Sequence, residues 1–160
     1  MSAQTTHETT VTIASIDLLS GALRSLDSAI VAERAGEKYV AAHLAAIRAA
    51  AALLAVHARP NKRRPTSVWN LLAAKVPEMA EWAAYFAAGA GKRAAAEAGL
   101  GGAVMPREAD DLVRDAHEFI DLVADRLGVS RQLVLPANVQ AVTQAQRTVP
   151  NNVLQFKPRT

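Results

Sequence analysis

A chain without cysteine has no disulfide, no thiolate zinc site and no cysteine nucleophile, and its four histidines are the first groups to weigh for proton transfer. His117 sits in the most reactive surroundings. Arg114 precedes it by three residues and Asp121 follows by four, so the three share adjoining strips of one helix surface. An imidazole one turn from a carboxylate can relay a proton or form half of a metal site. Arg114 and His117, with Arg93 from a preceding helix, are the candidate catalytic residues. The competing reading is a solvated acidic face laced with arginines, with Asp110 and Glu118 each one turn from Arg114 and placed to pair with it. His43 and His57 lie on one side of a helix but 14 residues apart, about 21 Å at the helical rise, so they cannot share a metal. Both are expected at a surface or an interface, and His7 falls in a polar head.

Asp110, Asp111, Asp115, Glu118 and Asp121 could hold a divalent ion only if a second helix met them with further ligands. Nothing in the sequence supplies those ligands, so no metal and no cofactor is expected. Gly89-Ala90-Gly91-Lys92-Arg93 has the wrong spacing for a phosphate-binding loop and no strand before it. No serine stands in a nucleophile elbow.

Two stretches suggest binding instead. Arg59, Lys62, Arg63 and Arg64 form a basic loop that could contact phosphates, although no aromatic side chains interleave with it for base stacking. Beyond Gly128 four basic residues stand without an acid. Within that tail, Gln132, Leu133 and Leu135 start like the glutamine-leucine-x-leucine peptides that dock on bacterial sliding clamps, but Pro136 replaces the usual bulky end. Leu154 and Phe156 make a second small apolar patch that could dock on a partner.

The elements that must position these groups are helical. About a fifth of the residues are alanine and only 4% are aromatic, which suits helices packed through small side chains. Ile16, Leu19, Leu23, Leu26 and Ile30 mark a first helix from about Ser15. Val40, Leu44, Ile47, Ala51, Leu54 and Ala58 mark a second from about Glu37, taken as its core stripe. Ser67 caps a short helix whose Trp69, Leu72 and Val76 share a face. Pro77 then opens a helix running to Gly99, with Met79, Trp82, Ala83, Phe86 and Ala90 buried and a soft point at Gly89-Ala90-Gly91. Close packing or a kink is the plain reading of that point, and close approach of a ligand to the backbone is the sharper one. A final helix runs from Pro106 to Gly128 with Ala109, Leu112, Ala116, Phe119, Val123 and Leu127 inward, and it carries three arginines against seven acids. No apolar run is read as long enough to span a bilayer, and the amino-terminal ten residues lack a signal-peptide pattern.

The run from Arg63 to Leu100, with Ser67-Val68-Trp69 and Glu81-Trp82-Ala83, followed by Glu108-Ala109-Asp110-Asp111-Leu112, resembles a small actinobacterial family within the HEPN superfamily. The resemblance covers about Ser15 to Gly128. It implies a bundle of four to five helices, often dimeric. It also implies a class in which many members are metal-independent ribonucleases or toxin components, using an arginine, four to six residues, then a histidine. Arg114 and His117 leave two residues between them, and Arg34–His43 and Arg48–His57 leave eight. The ribonuclease motif is therefore absent, which places the chain with the non-catalytic branches.

The expectation is an all-α antiparallel bundle of four major helices and one short helix over residues 14–128. Disordered segments are expected at 1–13 and at 129–160. The expected protein is cytoplasmic, binds no membrane, and acts as a homodimer on a protein or on RNA or DNA. The alternatives are a degenerate ribonuclease or toxin–antitoxin component, and a clamp-associated repair factor.

Overall fold

A computed structural model describes residues 11–57 and 67–130. The basic loop Arg59–Arg64 and the tail residues Gln132, Leu133, Leu135, Leu154 and Phe156 lie outside them. Among the described residues there are six α-helices and no strands: α1 Ile13–Val31, α2 Ala35–His57, α3 Val68–Lys75, α4 Ala80–Ala88, α5 Ala90–Glu97 and α6 Pro106–Leu127. A single 3-10 turn, Pro77–Met79, joins α3 to α4.

Local chemistry sets the ends of these helices. Thr12 caps α1 by accepting from the Ser15 amide, and Ser15 answers from its side chain, so the helix begins two residues ahead of its expected start. Ser67 caps α3 by accepting from the Asn70 amide. Pro106 opens α6, where a missing N–H costs nothing, and Gly128 closes it at φ 65°.

The rods alternate in direction. A three-residue turn folds α2 back along α1. Lys38 of α2 reaches Asp110 of α6 near both amino termini, and Arg126 reaches Glu78 near the far end of α6, within the field of His57. So α2 and α6 run in parallel, and α1 and the α4–α5 rod run against them. The all-α bundle is as expected, and the inward stripes of α3 and α6 are buried as the periodicity requires.

Three features depart from the sequence reading. First, α2 is the central helix and is turned relative to its expected stripe. Tyr39, Ala42, His43, Ala46, Ala49, Ala50 and Leu53 are buried, while Leu44 is exposed and Val40, Ile47 and Ala51 are half-exposed. Alanine gives a closely packed helix more room than leucine does, so the alanine faces meet α1 and α6. Second, α2 is 23 residues long with a mean hydropathy of 1.8 in its most apolar window. It is therefore long and apolar enough to cross a membrane, contrary to the reading that no run is, but 56% of that window is packed inside the bundle. Third, the expected Pro77–Gly99 helix is divided at Gly89, and Ala90 is exposed.

The residue at the division is under a steric constraint. Gly89 has an ordinary right-handed backbone, φ −80°, so its conformation does not require glycine. A Cβ there would stand 2.7 Å from the Tyr39 hydroxyl and 3.4 Å from the His43 ring. Substituting Gly89→Ala is expected to destabilise the bundle by about 1–3 kcal/mol despite alanine's helix preference. Adding Tyr39→Phe, which removes the obstructing oxygen, is expected to recover most of that loss in urea denaturation. An equal loss in both backgrounds would refute the contact as the cause.

Candidate functional site

His43 is the chemical centre of the interior. It is 1% exposed, a correction to its expected place at a surface or interface. Its neighbours are aromatic: Tyr39 stacks at 6.4 Å between centroids, and Trp69 and Phe86 present edges at 5.9 and 6.1 Å. Trp69, Phe86, Trp82 and Phe119 continue the cluster toward α6. A half-buried Trp82 and a buried Trp69 explain why both tryptophans sit in the α3–α4 stretch.

The imidazole Nε2 lies 2.9 Å from the Phe86 carbonyl oxygen. An oxygen can only accept, so Nε2 carries the hydrogen and Nδ1 is left as the lone pair. Phe86 also accepts from the Gly89 amide at 3.1 Å. A carbonyl freed at the end of α4 is thus bonded from within α2. Burial holds the imidazole below its ordinary pKa of 6.5, and the bond to Phe86 opposes that only in part.

Around this centre runs a seam where α2, α4 and α5 meet α6. Tyr85 of α4 donates to Asp115 at 2.5 Å. Lys92 of α5 holds Glu108, whose other oxygen accepts from the Met105 amide at 2.9 Å. Lys38 of α2 holds Asp110 at 2.7 Å. The acidic face of α6 is therefore partly consumed in clasping the other helices. Asp110 pairs with Lys38 rather than Arg114, and Arg114 pairs with Asp111 at 2.8 Å.

The electrostatics of the seam push its groups away from neutrality. The Lys92 ammonium, then the Met105 amide, hold Glu108 below the carboxylate range, and Glu108 in turn raises Lys92. Burial first, then the bond to Asp115, raises the Tyr85 phenol, and burial raises Tyr39. The bond that Arg114 donates to Asp111 raises the arginine's pKa further. A general acid or base works best with a pKa near the working pH. These shifted groups are instead fixed as ions and neutral phenols.

The candidate catalytic residues do not converge. Arg114 engages Asp111, His117 engages Asp121 at 3.6 Å, and Arg93 engages Glu97 at 3.6 Å, each on its own helix. Arg93 and Glu97 instead lie within the field of His43. Glu81 is exposed on the first turn of α4. The sequence reading did not weigh Tyr39 or Lys38. The four-residue spacing of Tyr39 and His43 was the available signal, since it puts both on one face of α2.

Residues 29–124 match a family described as SAV_6107-like HEPN. The chain belongs to that family. The match takes in α2 to α5 and α6 as far as Ala124, so the His43 cluster and the acidic seam are both features of the HEPN domain itself. No curated protein and no solved structure matches the chain.

The HEPN core carries a pH dependence of known sign. Between the lowered pKa of folded His43 and the ordinary 6.5, the unfolded chain binds more protons than the folded one. Stability is then fully present above 6.5 and falls as the pH drops below it, by at most about 1.4 kcal/mol per pH unit. Thermal unfolding between pH 7.5 and 5 should show this fall in the wild type. His43→Gln, which keeps a donor but does not titrate, should flatten it. The same slope in the variant would assign the effect to another group.

Proposed function

We propose that this HEPN domain is a non-catalytic module that acts through protein contact and pairs with a second copy of itself. One observation carries the reading. The turned α2 helix leaves Val40, Ala41 and Leu44 as the floor of an open cleft of about 660 Å³, bounded by Ala96 and by the Gly99–Val104 turn. Leu100 is 62% exposed beside it. Apolar surface gathered at one end of a bundle marks a contact site more often than scattered leucines do.

The rim favours a like partner. Arg34, Glu37 and Glu97 line it, so both signs of charge are present. A two-fold axis through the cleft sets a patch against its own copy, and a mixed rim can then oppose an arginine to an acid. Phosphate backbones find no such match in an apolar floor with two carboxylates.

The non-catalytic half of the reading is supported by the site geometry. Arg114 is bonded to Asp111 and His117 faces Asp121, each an acid of its own helix, the two residues between them fall short of the spacing the superfamily's ribonucleases use, and the seam's shifted groups stand away from neutral pH.

Light scattering after size exclusion is expected to give twice the 17.0 kDa chain mass. Leu44→Arg is expected to halve it while leaving a cooperatively folded monomer, whose unfolding midpoint falls only by what the lost association contributed. A monomeric wild type, or a dimer indifferent to the substitution, removes the proposal. RNA incubated with the protein is expected to stay intact. Cleavage that His117→Ala or Arg114→Ala abolishes would instead establish the degenerate ribonuclease.

A further inference from the structure

On the flank where α2 meets α1, two arginines share one spot. The point that a Cβ of Gly21 would occupy lies 3.7 Å from Arg24 Nη2, 3.8 Å from Arg48 Nε and 3.4 Å from Arg48 Cδ. The two side chains therefore converge on Gly21, where Arg24 Nη2 and Arg48 Nε each stand within 4 Å of one point. Neither forms an ion pair with a carboxylate among the described residues.

Arg48 is anchored there by neutral acceptors. Its Nη1 donates to the Gly21 carbonyl at 3.2 Å and to Ser25 Oγ at 2.5 Å. Ser25 is buried and donates in turn to the same carbonyl at 3.1 Å. One edge of the half-buried guanidinium is thus fixed, and its Nε and Nη2 hydrogens remain for something else. Arg24, exposed on the next turn of α1, brings a second fork to the same place. Holding two like charges together costs energy that a carboxylate would ordinarily offset.

We propose that Arg24 and Arg48 form a binding site for a phosphate group, with Ser25 and the Gly21 carbonyl as the frame that orients Arg48. A tetrahedral oxyanion suits the site for two reasons. It offers oxygens to both forks at once, and planar guanidinium groups bond such oxygens in pairs. The absence of a side chain at Gly21 lets the stem of Arg48 lie flat on α1. The site is separate from the cleft floored by Val40, Ala41 and Leu44, so it does not depend on dimerisation. The phosphate could belong to a small phosphorylated molecule or to a nucleic-acid backbone, and the chemistry recognised is the same.

The test uses the full chain at low ionic strength, with sodium chloride matched for ionic strength as the control. The probes are inorganic phosphate, adenosine monophosphate and a ten-nucleotide single-stranded RNA. At ten times its dissociation constant a bound probe is expected to raise the unfolding midpoint by about 4 °C. Arg24→Gln removes a fork from an exposed position, and is expected not to lower the unliganded midpoint while weakening binding at least about tenfold. Arg48→Lys keeps the charge but not the fork, and is expected to weaken binding similarly. A response confined to the small probes identifies a phosphorylated metabolite as the source. A response confined to the RNA identifies a backbone phosphodiester. Either supports the site provided it is lost in Arg24→Gln. No midpoint shift beyond the chloride control with any probe, or a shift that Arg24→Gln retains, overturns it.

Discussion

The bond from His43 to the carbonyl of Phe86 is the contact on which the rest of the bundle is arranged. A helix of the length first read from Pro77 to Gly99 would be a straight rod alongside α2. Instead a buried donor on α2 takes the Phe86 oxygen at 2.9 Å, and the rod ends one turn later. The break aims α4 and α5 separately, so Tyr85 on one and Lys92 on the other both come to α6. The glycine at the break admits the Tyr39 hydroxyl, and the aromatic rings close around the imidazole. Losing the His43 donor would leave the Phe86 carbonyl to the Gly89 amide and would remove the bond that ties the end of α4 to α2.

That geometry also decides the character of the acidic face. Read along the sequence, α6 is a helix with seven acids and three arginines, and its histidine stands near the middle. In the folded chain three of those acids clasp three other helices: Asp110 with α2, Asp115 with α4 and Glu108 with α5. The groups that chemistry would need are thereby committed to structure. Exposed pairs of this kind contribute little stability singly, but here they fix which face of each helix meets α6.

Much of the architecture was legible because large side chains and caps announce themselves. Trp69, Leu72 and Val76 on α3, and Leu112, Phe119 and Val123 on α6, are buried where a period of 3.6 places them. Ser67, Pro106 and Gly128 bound their helices as their chemistry requires. The rotation of α2 was not legible, for a physical reason. Periodicity weights the largest apolar groups, and Val40, Leu44 and Ile47 outweighed alanines that are equally willing to be buried. Where this central helix packs on two sides through methyl groups, Val40, Leu44 and Ile47 of the bulky stripe are left over, while Leu54 of the same stripe is buried. His43 was lost by the same error, because an imidazole on a presumed outer face reads as a surface group. The break at Gly89 was visible as a soft point, but the contact that leaves no room for a side chain there comes from Tyr39, 50 residues away, which no local pattern connects to it.

The rotation of α2 links the fold to the proposed contact surface. Burying the alanine faces lets α1 and α6 approach α2 closely enough for Arg48 to lie flat across Gly21 and for Lys38 to reach Asp110. The same rotation turns Val40, Ala41 and Leu44 toward the Gly99–Val104 turn as the floor of a cleft. A leucine-faced core would have reversed this, hiding the large side chains and exposing methyl groups too small to anchor a partner. The histidine belongs to the same choice. With alanine at so many inward positions, the interior needs bulk somewhere. Tyr39 and His43 supply it from α2 while Trp69, Phe86 and Phe119 supply it from the other side. A buried imidazole in this family member therefore goes with close helix packing, and its burial is what lowers its pKa.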